Sequence, residues 1–415
     1  MANYTYEITT DKTKSTNVIF DGNRFERIDS SDRVNHSVRV LKDGKIAVAS
    51  GSKPNSEAAL IEQALGTVQY GSPHDVPFVG RADITPLALT DSRAMSSKEM
   101  IEVMGGFVAD LRKLDDKLVV GASLSSNIME THMKTSDGFD AGYNKTMWRA
   151  GASIELMIND DLVAIWDGKG AMGPDIDIPS FTETLAQKLE YARNVVDFKP
   201  GSYPVIFVPG EVGYITNPIV ACLNGQAVYR KVSPWGDKLG QKLLDERVNI
   251  VDDGAISAYP CRPFDVEGTP TRRNVLVESG IIKNLLTNRK VGAQLGIGSS
   301  GNASGMGINT HFLHLNAGSK PLAELIAGID YGMIIESSMG AWSGNPYGGI
   351  VSGTIATAFK IEKGKITGRV KNCMFTVNAF DHFNRHVVDF SVERETYGGT
   401  CFPYVLLNDV VISTK

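Results

Sequence analysis

The chain has 415 residues, 42% of them hydrophobic and 21% charged, which is typical of a folded globular protein with more than one core. Lys and Arg number 42 against 47 Asp and Glu, and the formal charge of −5 argues against broad nucleic-acid binding. The N-terminus lacks the apolar segment of a signal peptide, and no apolar stretch is long enough for a transmembrane helix. The four cysteines form no CxxC pair. We therefore expect a soluble cytoplasmic protein with reduced thiols.

The first predicted elements are a hairpin and two helices. Two β-rich runs within His36–Ala49 flank an Asp-Gly pair, which predicts a β-hairpin. A helix is predicted from about Asn55, a favourable N-cap residue followed by apolar residues at helical spacing. A second helix is predicted to begin near Ser96, which forms the pattern of a capping box with Glu99.

Strands and a third helix complete the first half. Strands are predicted at Leu118–Ser123, Met129–Lys134, Ala152–Met157 and Leu162–Trp166. The third helix is predicted over roughly Phe181 to Val196, with Ser180 and Glu183 as a second capping box. Residues 198–202 contain Pro and Gly and have the composition of a linker. We therefore place a domain boundary there.

The second half is rich in glycine and turns. Hairpins are predicted around Ser279-Gly280 and around Lys363-Gly364, with one helix at about Leu322–Tyr331 between them. Antiparallel hairpins with few helices favour a barrel or a sandwich. The predicted fold is therefore α+β. Residues 1–198 form a mixed α/β N-terminal domain with an antiparallel sheet and flanking helices, and residues 203–415 form a β-rich, barrel-like or sandwich-like domain.

Two nucleotide-binding patterns lack the sequence context that phosphate binding needs. Gly296–Gly301 spells GxGxxG, but no buried strand precedes it and no helix follows, so the phosphate-binding geometry is not expected. Lys363–Lys365 lacks the upstream glycine and the Ser or Thr of a P-loop. We expect Gly296–Gly301 to be a glycine-rich loop, and Lys363-Gly364 is the turn of the hairpin predicted above.

Histidines supply the remaining candidates for a site. His382 and His386 are four residues apart and would share a helix face, but Phe383 stands where a zinc peptidase needs a glutamate. His311 and His314 have no obvious third ligand. Structural or surface roles are favoured for all four, although a site assembled from distant residues stays open.

Several ordered motifs resemble those of the TldD/PmbA family of metallopeptidases. Phe264–Arg273 is similar to the family's D-x-E-G-T-P-T segment, and the hairpin after it also matches. Ser299–Ala303 resembles a family loop, and Val38–Lys45 and Gly353–Lys365 resemble two family hairpins. The resemblance extends over nearly the whole chain and implies an α+β peptidase-like fold.

The resemblance also implies where zinc would bind, and the residues there are wrong for it. TldD-type subunits carry HExxxH on a helix that corresponds to Glu211–Gln226, with a distant cysteine as a further ligand. When Leu223-Asn224-Gly225 is aligned with the L-E-G that follows the family's motif, Thr216 stands for the first histidine, Asn217 for the glutamate and Ala221 for the second histidine. The chain has no histidine between His132 and His311, so a register error cannot restore the motif. The following residues, Gly225–Ser233, resemble the PmbA branch. Cys401 lies in the region of the cysteine ligand.

Three functions remain open at this point. The first is a non-catalytic PmbA/TldE-type subunit that shapes or closes a peptide channel beside a TldD-type HExxxH subunit or a second copy of itself. Zinc is then expected only in the TldD-type partner, and neither nucleic acid nor membrane is bound directly. The second is a peptidase with an unrecognised site, for which His311, His314, His382, His386 and Cys401 are the candidates. The third is a regulatory binding protein related to modulation of DNA gyrase.

Overall fold

The computed structural model describes residues 3–52, 57–158, 160–305 and 307–414. Its first half builds a seven-stranded antiparallel sheet in the order β4-β3-β2-β1-β5-β6-β7. The strands are β1 Thr5–Asp21, β2 Arg24–Lys42, β3 Lys45–Gly51, β4 Ser72–Pro73, β5 Val119–Thr135, β6 Asp140–Ile158 and β7 Asp161–Ala171. The predicted strands around Leu118–Ser123 and Met129–Lys134 are one continuous strand. Polar residues such as Ser125 and Asn127 break the hydrophobic alternation there, although the backbone ladder to β1 continues without a gap.

Three helices flank this sheet, at α1 Glu57–Thr67, α2 Ser97–Arg112 and α3 Ile178–Arg193, and a 3₁₀ turn follows α1 at Val68–Tyr70. Helices α2 and α3 pack on the inner face of β5–β7, where the rings of Phe107 and Phe181 stack with centroids 5.1 Å apart. The predicted cap Asn55 lies outside the described residues.

The two capping-box predictions have opposite outcomes. Ser96 and Glu99 form the box at the start of α2, as predicted. The second prediction is wrong, because α3 begins three residues earlier than expected. Its N-cap is Asp177, whose carboxylate accepts the Ser180 backbone N–H at 3.0 Å.

The assignment of Asp177, rather than Ser180, as the N-cap of α3 can be tested directly. Asp177→Ala is expected to lower the free energy of unfolding by about 1 kcal/mol, because an N-terminal backbone N–H loses its acceptor. Ser180→Ala is the matched control and is expected to change stability by less than about 0.5 kcal/mol, since the Ser180 side chain is exposed. Urea unfolding of both variants measures the difference. Equal losses would contradict the assigned cap.

The second half builds an eleven-stranded sheet, part of which closes into a barrel. Five strands form the closed ring, in the order β8-β15-β16-β18-β20 and back to β8. The strands of the second half are β8 Gly201–Phe207, β9 Ile250–Asp253, β10 Arg273–Glu278, β11 Ile281–Ile282, β12 Ala303–Ser304, β13 Gly307–Ile308, β14 Leu313–Leu315, β15 Tyr331–Met339, β16 Ile350–Glu362, β17 Lys365–Arg369, β18 Cys373–Asn378, β19 Val387–Tyr397 and β20 Thr400–Thr414. The predicted α+β class with a β-rich, barrel-like second half is confirmed.

Five short helices connect these strands: α4 Pro209–Cys222, α5 Gly225–Tyr229, α6 Arg289–Leu295, α7 Leu322–Ala327 and α8 Ala379–Asp381. A 3₁₀ turn lies at Pro346–Gly348, and a π-helical turn at His382–His386. Helix α7 is shorter than predicted, because the chain enters β15 at Tyr331. The GxGxxG segment follows a helix instead of opening one, since Gly296 is the left-handed C-cap of α6. This is not the geometry of a dinucleotide site.

The halves share a hydrophobic core. One buried cluster combines Ile154 and Ile165 of the first sheet with Phe359 of the barrel. A second cluster fills the barrel, where the rings of Phe207 and Phe375 meet edge to face at 5.4 Å. The start of α4 lines one cavity together with residues of β7 and β19. None of the described helices is long and apolar enough to cross a membrane.

Candidate functional site

Helix α4 occupies the place where the family resemblance expects a zinc-binding helix. Strand β8 leads directly into it, and Pro209 occupies the first turn, where its missing N–H costs no hydrogen bond. The Thr216 side chain is buried, and its hydroxyl donates to the Val212 carbonyl at 2.8 Å. Asn217 is exposed, and Ala221 has no ligating atom. These residues do not fit a zinc ion, which needs thiolate, imidazole or carboxylate ligands.

No alternative metal centre is found within the described ranges, where no group of three or more His, Cys, Asp or Glu side chains is arranged to hold an ion. The chemistry of α4 lies instead in its first turn. There Glu211 is buried and accepts hydrogen bonds from the backbone N–H and the hydroxyl of Ser338, at 3.0 and 2.5 Å. Burial raises the pKa of Glu211 above its ordinary value, although the Ser338 bonds oppose that shift.

Glu211 borders a cleft between β7, α3, α4 and β19, which we call the α4 cleft. It is lined by Trp166, Asp167, Lys188, Val208, Pro209, Gly210, Glu211, Tyr214, Glu336, Glu395, Tyr397 and Tyr404. The ring of Trp166 is 58% exposed and lies 6.1 Å from that of Tyr397. Four carboxyl groups and exposed aromatic faces thus line one cavity of about 70 Å³, which has room for one side chain of a ligand rather than for a whole peptide.

Lys188 lies at the base of the α4 cleft, between two acids. Its ammonium group is 3.1 Å from Asp167 and 2.8 Å from Glu336. Burial alone would lower the pKa of Lys188, but the two carboxylates outweigh burial and hold it above its ordinary value. Burial raises the pKa of Glu336, and Lys188 only partly opposes that shift. The lysine therefore stays charged and holds the two acids together.

Glu395 has a second set of partners on the other wall of the cleft. Lys169 approaches it at 2.9 Å, and the Tyr404 hydroxyl donates to it at 2.8 Å. Burial acts to raise the pKa of Glu395, but these two partners outweigh burial and lower it. Glu395 is therefore held as a carboxylate by bonds to its charged form.

His311, His314 and Cys401 come close together near the start of β20. His314 in β14 pairs directly with Cys401 in the parallel register. His311 is buried, and its Nε2 lies 2.6 Å from the Gly301 carbonyl. Burial lowers the pKa of both histidines, which favours neutral rings. Nε2 of His314 is buried with no hydrogen-bond partner among the described residues.

His382 and His386 form a separate pair, with ring centroids 5.2 Å apart. His382 Nδ1 lies 2.9 Å from the Asn378 carbonyl, and His386 Nδ1 lies 2.9 Å from Asp409. Cys401 and Asp409 are eight residues apart on β20, or roughly 26 Å at the rise of a strand. The structure therefore splits the five candidate residues into two groups and does not bring them together.

Sequence reasoning missed the residues of the α4 cleft apart from the α4 helix itself. Asp167, Lys188, Glu336 and Glu395 come from four different elements and carry no shared spacing. One signal could have been used: Glu336 directly follows the apolar run Met333–Ile335, and a carboxylate at the end of a buried strand needs a partner. Lys188 gave no comparable signal, because a lysine within an amphipathic helix is ordinary.

Comparison with known proteins agrees with the motifs. Residues 200–414 match the PmbA/TldA metallopeptidase C-terminal domain, and residues 6–66 match the PmbA/TldA metallopeptidase domain 1. The chain is 22% identical to the metalloprotease PmbA of Escherichia coli O157:H7, over 98% of this chain and 92% of that one.

Two solved structures share the fold. TldE from Thermococcus kodakarensis superposes with a TM-score of 0.92 at 22% identity, covering 99% of this chain and 96% of that one. A putative modulator of a DNA gyrase from Thermotoga maritima superposes with a TM-score of 0.91 at 20% identity, covering 99% of this chain and 96% of that one. Since the C-terminal domain match alone covers more than half of the residues, the chain belongs to the PmbA/TldD family of metallopeptidase-like proteins.

Proposed function

We propose that this chain is a non-catalytic, PmbA/TldE-type subunit of a TldD/PmbA-family peptidase system, which holds and shapes the path of a peptide substrate. The observation that carries the proposal is the state of α4. The helix keeps its place in the fold, while Thr216 turns its hydroxyl to the helix's own carbonyl and Ala221 offers no ligand. These positions offer no ligand for a zinc ion and no glutamate that could activate a water molecule.

The α4 cleft supports the substrate-holding part of the proposal. It lies beside the helix where a catalytic relative would bind zinc, and it presents Trp166 and Tyr397 together with four carboxyl groups, of which Glu211 is buried. Aromatic rings bind peptide side chains at little cost in conformational entropy. A carboxylate that already has one or two partners in the fold can still accept a hydrogen bond from a peptide N–H group. These groups need no metal.

Reconstitution tests the proposal. The chain is purified alone and with a TldD-type HExxxH subunit, and cleavage of an unfolded peptide is followed with each preparation. We expect no cleavage by the chain alone and a higher rate in the complex than with the HExxxH subunit alone. Replacing the first histidine of the partner's motif should abolish all cleavage. Chelator-sensitive cleavage by the isolated chain would contradict the proposal.

One variant pair tests the cleft. Trp166→Ala is expected to raise KM in the complex roughly tenfold, because an exposed aromatic at a binding surface contributes on the order of 1–3 kcal/mol. Thr216→Val is the control and should leave KM and kcat unchanged, since its hydroxyl faces only the helix backbone. Steady-state cleavage kinetics with both complexes measure the effect. An unchanged KM for Trp166→Ala would exclude the cleft from substrate binding.

A further inference from the structure

Strand β6 has one edge that is only half covered. On one side β5 pairs with it from Asp140 to Glu155. On the other side β7 pairs only with Trp148–Ile158. Within the described part of the chain, no strand pairs with this second edge of β6 from Asp140 to Met147. An open strand edge of this length is an unusual feature, because exposed edges invite pairing with another chain.

Segment 80–91, which forms neither helix nor strand, lies beside the open edge and contacts it at Thr146. The Leu89 carbonyl accepts the Thr146 N–H at 2.9 Å, and Gly80 forms an isolated antiparallel bridge with Gly138 in the turn before β6. The segment is thus held to this region of the fold at two points, one before and one after residues 140–145.

The direction of the backbone groups along the open edge follows from the bond at Thr146. Its N–H points away from β5, so Thr146 and its partner Ile128 form a non-hydrogen-bonded pair. The register between β5 and β6 has no shift, and the direction of the N–H and C=O groups alternates with a period of two. Asn144 and Gly142 therefore also direct their N–H and C=O groups away from β5, toward segment 80–91.

A cavity of about 660 Å³ lies between the open edge and the segment. Arg81, Asp83, Ile84 and Leu87 line it from the segment, and Asp140–Asn144 line it from β6. Ile84 and Tyr143 pack on a buried cluster with Phe264, so one side of the cavity is apolar. Asp140, Gly142 and Asn144 lie on the opposite, exposed face of the strand. A ligand here would meet apolar groups on one side and exposed polar groups on the other, where Asp83 and Asp140 outnumber the single cation Arg81.

We propose that this gap binds a short extended peptide as an added strand, hydrogen-bonded to the backbone of Gly142 and Asn144. This inference rests on the proposed role in holding peptide substrates and gives that role a second site, apart from the α4 cleft. The peptide class that fits alternates apolar with basic residues, because its side chains fall in turn on the Tyr143 side and on the side with Asp83 and Asp140.

The probe is a fluorescein-labelled, C-terminally amidated Val-Lys-Val-Lys-Val, and the readout is fluorescence anisotropy with the full chain. Single N-methyl groups are placed at each residue in turn. An added strand predicts that methylation at alternate residues weakens binding at least tenfold, while methylation at the intervening residues changes it less than threefold. No binding of the parent peptide, or equal effects at all residues, would overturn the proposal.

A variant pair locates the site. Asn144→Pro removes an outward N–H without breaking the ladder to β5, and should weaken peptide binding at least tenfold. Asn144→Ala removes the same side chain but keeps the N–H, and should bind within twofold of the wild type. If Asn144→Pro fails to fold, the N-methyl series decides the question on the wild-type chain. If the chain instead forms dimers through this edge without peptide, and the probe does not dissociate them, a second copy occupies the edge and the proposal is overturned.

Peptide binding is measured without a peptidase partner. A failure to bind the probe would therefore leave the cleavage test of the non-catalytic role unaffected.

Discussion

Replacing Lys188 with methionine is expected to lower the free energy of unfolding by about 3 kcal/mol, because it leaves two largely buried acids without their shared cation. Asp167 and Glu336, whose side chains are only 13% and 12% exposed, would then face each other unpaired. Methionine has a similar length, so the loss of packing is small and the loss of charge dominates. Chemical denaturation at neutral pH measures the effect.

Two controls separate burial from charge. Lys12→Met breaks an ion pair with Glu130 in which both side chains are about half exposed, and should cost less than about 1 kcal/mol. Adding Asp167→Asn and Glu336→Gln to Lys188→Met removes the unpaired charges and should recover much of the lost stability. A loss for Lys188→Met no larger than that for Lys12→Met would contradict the structural role assigned to this triad.

Replacing Asp252 with alanine is the other large effect, expected at about 3–5 kcal/mol of unfolding free energy, since three donors lose their acceptor in a buried site. The Asp252 carboxylate accepts the backbone N–H groups of His311 and Phe312 at 2.8 and 2.9 Å. It also accepts the Asn302 amide at 2.6 Å, and its own side chain is fully buried. Removing it leaves each of these donors without compensation.

Its neighbour provides the control. Asp253 accepts one N–H, from Ala255 at 3.2 Å, and approaches Arg273 at 3.7 Å. Asp253→Ala should therefore cost only about 1 kcal/mol. Thermal and urea unfolding of both variants test the contrast. Equal losses would mean that the Asp252 network contributes no more than one ordinary hydrogen bond.

The Asp252 network also gives a physical reason for one of the family-like motifs. The loop Ser299–Ala303 carries Asn302, which bonds to Asp252, and Ser300, whose hydroxyl donates to Asn302 at 2.7 Å. Asn274, on β10, donates to the same Asn302 oxygen at 3.0 Å. The motif thus fixes a buried polar junction between β9, β10 and the His311 segment, where each group has a partner.

Local chemistry made part of the fold predictable. The hairpins at Asp43-Gly44, Ser279-Gly280 and Lys363-Gly364 were found from their turn residues, and all six adopt the positive φ that such tight turns require. Ser96 and Glu99 likewise determine where α2 begins. No local sequence pattern predicts the closure of the barrel, because β8 pairs with β15 and β20, which lie more than a hundred residues further along the chain.

The α4 cleft was hidden for the same reason. Its groups come from β7, α3, α4, β15, β19 and β20, and only the fold brings them together. The degenerate positions Thr216, Asn217 and Ala221 could be found from the sequence, because a family motif gave each of them an expected residue. The five His and Cys candidates show the opposite limit: residue type alone suggested one site, and the structure places them in two.

Zinc content tests the central claim most directly. The chain is purified alone and in complex with a TldD-type HExxxH subunit, and bound metal is counted by elemental analysis and native mass spectrometry. The absence of zinc ligands at Thr216, Asn217 and Ala221 predicts well under one zinc per chain alone and one per heterodimer. A stoichiometric, tightly bound zinc in the isolated chain, with cleavage activity lost on chelation, would contradict the account.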